Sequence, residues 1–358
     1  MENKRIYVAA TSQHVGKTTS TLGLVSVFKE KGYNVGYCKP VGQQFIDVGP
    51  SRRADKDALL FASTMNFELV PELHSPVILG SGATTAYLDN PTQFPYENRI
   101  LKASKILEQN HDLVVYEGTG HPGVGSVVGL SNATVAKTLN AGVIMVVEAG
   151  VGNTIDRLTL NLSLFREQEV PIIGIIINKA LPQKIDKVRK YVGNWLDEQG
   201  IPLLGILPYE QELGLPVMAT IASTINAKVL HHEHQLDNRV ADIIAGSLID
   251  LSKPEDFVNQ LLVVSFKRLG EAIKKLTQVG QIMGFDCPLS GILVTGEGEI
   301  SPDLLDYINE FKLPVLHSIM DTYEAVIKIS RIEVKINTRT PWKVIKAVNL
   351  VRSHVNLD

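Results

Sequence analysis

Over roughly the first 210 residues, short unbroken apolar runs alternate with longer stretches in which apolar positions recur every three or four residues. The runs fall at 6–10, 35–38, 113–116, 143–147, 172–177 and 203–207, and most are continuous Val, Ile and Leu. Continuous runs of this kind mark strands covered on both faces rather than one. The periodic stretches predict helices near 18–31, 56–65, 133–139, 154–168 and 184–199. In the last of these, Val188, Tyr191, Val192 and Trp195 share the spacing of one buried stripe. The alternation predicts an α/β fold, a parallel sheet with helices on its flanks.

A boundary is expected near 214–216, dividing the chain into domains 1–213 and 214–358. Beyond it the alternation resumes with strands at 261–265, 291–295 and 314–317 and helices at 271–283, 302–311 and 322–329. Ser301-Pro302 places an N-cap before an N1 proline, and Asp321-Thr-Tyr-Glu324 has capping-box spacing. Thr340-Pro341 opens a last helix with Val344, Val348 and Val351 on one side. No internal repeat or low-complexity segment interrupts this pattern.

Composition narrows the class. Thirty-five Lys and Arg against 38 Asp and Glu give a net charge of −3, so neither nucleic acid nor a membrane surface is expected as a partner. Two cysteines in 358 residues exclude a disulfide framework and fit a cytoplasmic protein. The start, Met1-Glu-Asn-Lys-Arg, lacks the apolar core of a signal peptide, and no apolar stretch is long enough to span a bilayer.

The candidate chemistry begins at Ala10-Thr-Ser-Gln-His-Val-Gly-Lys-Thr-Thr19, which follows a predicted strand and opens a predicted helix. That context suits a phosphate-binding loop spanning His14, Val15, Gly16, Lys17, Thr18 and Thr19. Its backbone N–H groups and the helix dipole favour phosphate oxygens. Lys17 is expected to neutralise the β- and γ-phosphates and Thr18 to ligate Mg²⁺. Thr11 stands in place of the first glycine of the usual pattern. Lys39 and Glu117 follow strand ends, the side of a parallel sheet where ligands collect. Glu117 can complete a Mg²⁺ shell, and Lys39 can stabilise charge on a transferring phosphoryl group.

The ordered set Val15-Gly-Lys-Thr18, Gly36-Tyr-Cys-Lys-Pro-Val41, Lys56-Asp57-Ala-Leu, Glu117-Gly-Thr-Gly120, Asn178 and Gly205-Ile-Leu-Pro208 resembles dethiobiotin synthetase. It also resembles the related ATP-dependent domains of cobyrinic acid a,c-diamide synthase and of long-form phosphotransacetylases. The resemblance implies a P-loop domain in which Lys17 and Lys39 contact phosphates and Thr18, Asp57 and Glu117 hold Mg²⁺. It further implies that Asn178 contacts the ATP base and that Pro208 lies close to it. His14, Ala10 and the glycine-rich loop from His121 to Gly125 depart from the dethiobiotin synthetase pattern, which leaves the second, small-molecule substrate open. Asn178-Lys179 lacks the aspartate of a guanine-reading motif, so adenine is the expected base.

In the second half, Ser290-Gly-Ile-Leu-Val-Thr-Gly296, Leu313-Pro-Val-Leu316 and Asp321-Thr-Tyr-Glu324 resemble a DRTGG domain, with the namesake residues degraded. This pairing resembles the N-terminal, regulatory part of long phosphotransacetylases and implies a nucleotide-dependent accessory protein, assembled as a homo-oligomer. The length leaves no room for the acetyltransferase domain of those proteins, and Cys287 lacks the setting of a glutaminase nucleophile. An ATP-dependent ligase of dethiobiotin synthetase type, acting on a carboxylate or carbamate, is the alternative. A ParA-like, ATP-driven dimer switch would carry another lysine early in the loop, where Ser12 and Gln13 stand.

Other residues read first as ordinary surface or core. The run His231-His-Glu-His234 is expected as a solvated edge sooner than a metal site, Cys38 as buried packing and Arg52-Arg53 as solvated loop.

Overall fold

The computed structural model describes residues 4–50, 52–246, 258–284 and 286–357; the first three residues of the polar start lie outside these. The chain forms two units, one of Met1–Glu210 with Ile336–Asp358, the other of Gln211–Lys335.

The first unit is built on six strands: β1 (Arg5–Ala10), β2 (Val35–Cys38), β3 (Leu113–Glu117), β4 (Gly142–Glu148), β5 (Ile172–Ala180) and β6 (Leu203–Pro208). They lie in the order β6-β5-β4-β1-β3-β2, all parallel. Helices α1 (Lys17–Glu30), α2 (Lys56–Met65), α3 (Tyr96–Asn110), α4 (Asn132–Thr138), α5 (Gly152–Glu167) and α6 (Ile185–Glu198) join or flank them. The central strands β1, β3 and β4 are buried almost throughout, as unbroken apolar runs require. Between β2 and α2 an antiparallel hairpin pairs Phe45–Gly49 with Arg52–Asp55. Arg52 and Arg53 therefore lie on a strand, where they pair with Glu72 at 2.7 Å and Asp47 at 3.2 Å.

In the second unit, α7 (Met218–Thr224), β7 (Lys228–His231), β8 (Asp242–Ala245), β9 (Gln260–Ser265), α8 (Phe266–Met283), β10 (Leu289–Thr295), α9 (Pro302–Glu310), β11 (Val315–Ser318) and α10 (Thr322–Ser330) follow in order. The sheet runs β7-β11-β10-β9-β8, parallel except for β7 at the edge. One face packs on α8 and α9 through Leu262, Val264, Ile292 and Val294. The other packs on α7 and α10 through Leu261, Val263, Leu293 and Leu316. The alternation of inward residues thus serves two cores at once.

The last helix, α11 (Pro341–His354), departs from the expected division at 214–358. It returns to the first unit and lies on α1. A Cβ at Gly23 of α1 would stand 2.2 Å from Val351 Cβ, so the two helices approach backbone to backbone. Of the expected stripe Val351 is buried while Val344 and Val348 are half-buried, and Lys343 and Ala347 complete the buried face, where the small Ala347 suits this close contact. Val355 bridges Gly205 and the Asn356 N–H donates to Leu204 O at 2.8 Å, extending the contact to β6. In α6 the stripe also differs, with Val188, Val192 and Leu196 buried and Tyr191 exposed.

Candidate functional site

Every expected site residue lies at or just beyond the carboxyl ends of the first sheet. β1 runs into the loop 11–16, and α1 begins at Lys17. Gly16 has φ +100°, a conformation that costs glycine little and other residues much. A Cβ there would sit 2.0 Å from Asn178 Nδ2. His14 also takes a left-handed conformation, with φ 59°. The loop therefore turns tightly enough to aim the first turn of α1 across the sheet edge.

Asn178, at the end of β5, acts on that loop. Its Nδ2 donates to the Val15 carbonyl at 2.7 Å, and its Oδ1 accepts the Lys179 N–H at 2.8 Å. The structure thus shows Asn178 as a brace under the loop. Pro208 closes the neighbouring strand β6, in register with Ala180. Thr19 follows on the first turn of α1.

The remaining residues converge. Thr18 Oγ1 donates to Glu117 Oε1 at 2.9 Å. Lys39 Nζ donates to Asp57 Oδ2 at 2.8 Å, to Glu117 Oε1 at 3.2 Å and to the Gly118 carbonyl at 3.0 Å. Lys17 Nζ donates to the Gly120 carbonyl at 3.1 Å. Glu117 is wholly buried and Lys39 is 4% exposed, so each charge depends on the other. Burial alone would strip the proton from Lys39, but Asp57, Glu117 and Asp55 outweigh it and hold the ammonium charged.

Two organising residues escaped the sequence reading. Asp55 caps α2 by accepting the Asp57 N–H at 2.9 Å, and also accepts from the Gln43 N–H at 3.1 Å. Burial lifts its carboxyl to about 6, against the pull of Lys39. Its place two residues before Asp57 and ahead of an apolar run is an N-cap signal. Asn132 holds the loop after β3: its Oδ1 accepts Tyr7 Oη at 2.7 Å and the Thr119 N–H at 2.9 Å, while Nδ2 donates to His121 O at 2.6 Å. Nothing local in the sequence marks that role.

Asp57 and Glu117 thus share the Lys39 ammonium, and Glu117 also accepts the Thr18 hydroxyl. Hard oxygen donors with two carboxylates suit Mg²⁺, and the ammonium of Lys39 balances their charge in the protein alone. Thr11 Oγ1, buried at the start of the loop, has no hydrogen-bond partner, which leaves a polar atom that a bound group can satisfy.

A family model described as an AAA domain matches residues 4–217, more than half the chain. The chain belongs to this AAA domain family. A DRTGG domain model matches residues 220–332. Phosphate acetyltransferase of Nitrosomonas europaea is 23% identical over 375 residues, covering 98% of this chain and 50% of that protein. A probable cobyric acid synthase of Methanocaldococcus jannaschii is 27% identical over 257 residues, 62% of this chain and 50% of that protein. An ATP-dependent dethiobiotin synthetase of Clostridium kluyveri is 28% identical over 181 residues, 49% of this chain and 74% of that protein. The chain spans about half the length of the phosphate acetyltransferases it matches. Among solved structures, MinD of Aquifex aeolicus aligns over 59% of this chain and 84% of that chain, at 16% identity and a TM-score of 0.37.

The expected sequence motifs and the AAA domain match therefore coincide on the first unit. The match stops at 217, yet the structural unit also takes in α11. Among the described residues no three or more His, Cys, Asp and Glu side chains gather as a metal site, so Asp57 and Glu117 are joined at most by the Thr18 hydroxyl; His232 leaves the strand at φ 50° and bonds Asn309 Oδ1 at 3.0 Å. Cys38 is buried, and burial pushes its thiol up, away from nucleophilic use. No described helix is long and apolar enough to cross a membrane.

Proposed function

We propose that the AAA domain binds Mg·ATP and that the chain works as a nucleotide-dependent regulatory or accessory protein. The observation that carries this reading is the convergence of Thr18, Lys39, Asp57 and Glu117 in one hydrogen-bonded set beside Lys17. Thr18, Asp57 and Glu117 would hold Mg²⁺, which when bound neutralises phosphate charge. Lys17, at the first turn of α1, would meet the β- and γ-phosphates, and Lys39 would move from the carboxylates onto a phosphoryl oxygen. Asn178 fixes the loop from below, and its remaining amide hydrogen would contact the base beside Pro208.

The regulatory reading draws on the alignment, which runs through both domains of this chain but half of the phosphate acetyltransferase. A homo-oligomer forms part of the same proposal. The test is a thermal-shift panel of ATP, ADP and GTP with Mg²⁺ or EDTA. ATP with Mg²⁺ is expected to raise the melting temperature most; equal melting temperatures across the panel would contradict the proposal.

A second reading, ATP-dependent activation of a carboxylate or carbamate, is favoured by one observation. The buried Lys39 reaches the Gly118 carbonyl, at the mouth of the loop that departs most from dethiobiotin synthetase. Hydrolysis of ATP that rises only when a carboxylate or an amine with CO₂ is added would support it over the regulatory reading.

A further inference from the structure

The second unit holds a cavity of about 470 Å³ that none of the site residues above enters. That size lies within the usual range for small-molecule sites, about 300–1,000 Å³. Its walls come from five elements. The edge strand β7 and its neighbour β11 give His231 and His317, the first residue of α8 gives Phe266, α9 gives Leu305, and the loop after β10 gives Glu297 and Glu299.

The loop wall is built against its neighbour. A Cβ at Gly298 would stand 2.6 Å from Phe266 Cβ, so the loop backbone lies directly on the first turn of α8. His317 is fixed as well: its Nε2 pairs with the Gly296 carbonyl at 2.8 Å, and a carbonyl can only accept. That bond puts the imidazole proton on Nε2 and leaves Nδ1 as an acceptor when the ring is neutral. The Phe266 and His317 rings lie 5.5 Å apart, tilted by 56°, and form an aromatic corner.

Charge decides the ligand class. Glu297 and Glu299 are the formally charged side chains lining the cavity, and neither lysine nor arginine is among its described walls. Helices α8 and α9 both start at this wall, and each amino end offers about half a positive charge. Two full negative charges outweigh that sum of about one. An aromatic face also attracts a cation rather than an anion. The apolar floor then asks for a ligand with an apolar body.

We infer that this cavity binds a small organic cation, an amine or amidine carried on a flat apolar body. The body rests on Phe266 and Leu305, the positive N–H groups meet Glu297 and Glu299, and a further N–H donates to His317. The inference stands apart from the nucleotide reading, since no residue is shared between the two sites.

Benzamidine and benzoate, a flat cation and a flat anion of similar size, provide the test on the full chain by calorimetric titration. Benzamidine is expected to bind saturably and benzoate not. Glu297 and Glu299 are exposed, so the double variant Glu297→Gln with Glu299→Gln leaves the core untouched. It is expected to weaken benzamidine by about tenfold or more. A Lys17→Ala chain is expected to bind benzamidine as the wild type does, which keeps this result separate from the nucleotide site. Benzoate binding as tightly as benzamidine, no saturable benzamidine binding with a Kd below about 1 mM, or an unchanged affinity in the double variant would each overturn the inference.

Discussion

Lys39 Nζ lies 2.8 Å from Asp57 Oδ2, at the meeting point of β2 and the start of α2. The same ammonium reaches Glu117, which is wholly buried. Removing the lysine leaves a carboxylate without its counter-charge. Lys39→Met is therefore expected to lower stability by about 3–5 kcal/mol, the usual cost of stranding a buried charge. Urea unfolding checks this. If Mg²⁺ takes up the same carboxylates, it should stabilise the variant more than the wild type; an equal gain in both would separate Lys39 from the cation site.

Gly16 and Asn178 form a second coupled pair. Gly16→Ala meets both a φ of +100° and the Asn178 amide 2.0 Å from the new Cβ. The variant is expected to lose about 1–3 kcal/mol of stability and most nucleotide affinity. Asn178→Ala removes the obstacle but not the backbone strain. A double-mutant cycle by urea unfolding should thus show a coupling of about 1 kcal/mol; strict additivity would mean that the contact is not made.

These pairs mark the limit of what the sequence discloses. The strands of the first sheet are legible because continuous apolar runs have few other uses. Lys17, Thr18, Lys39, Asp57 and Glu117 are legible because each stands next to a strand end or helix start. Helix α3 is not: its buried face includes Ser104 along with Ile100, Ala103 and Leu107, so its apolar stripe is sparse. Asn132 is not either, since its hydrogen bonds reach residues that only the fold brings near. The placement of α11 depends on Gly23, a residue more than 300 positions away that reads locally as a weak point in a helix.

The return of α11 makes the C-terminal segment part of the first unit. Gly23→Ala places a methyl group within 2.2 Å of Val351 and is expected to cost about 1–3 kcal/mol, the cost of overpacking. Combining it with Val351→Ala should recover part of that loss. Thermal unfolding of the single and double variants checks the contact. If Gly23→Ala alone has no effect, α11 does not lie on α1.

His74 gives the domain a pH dependence. Its carbonyl accepts the Lys39 N–H at 2.8 Å, and its Nδ1 accepts the Val70 N–H at 3.0 Å. Burial, the main cause, lowers its imidazole from the usual 6.5 to about 4. The folded chain thus holds the ring neutral. Its contribution is complete above about pH 6.5 and is lost as pH falls toward 4. His74→Gln should lose less stability than the wild type over that window, measured by urea midpoints from pH 7 to 4, while the raised Asp55 carboxyl acts with the opposite sign in both chains. An unchanged profile would assign the acid sensitivity to other groups.

The proposed Mg·ATP site gathers Lys17, Thr18, Lys39, Asp57 and Glu117. Its most direct test is a calorimetric titration of ATP in Mg²⁺ into the wild-type chain and the Lys17→Ala variant. Saturable binding to the wild type, lost with EDTA and in Lys17→Ala while the melting temperature without nucleotide stays the same, is the expected result. ATP affinity that is equal in both chains would contradict it.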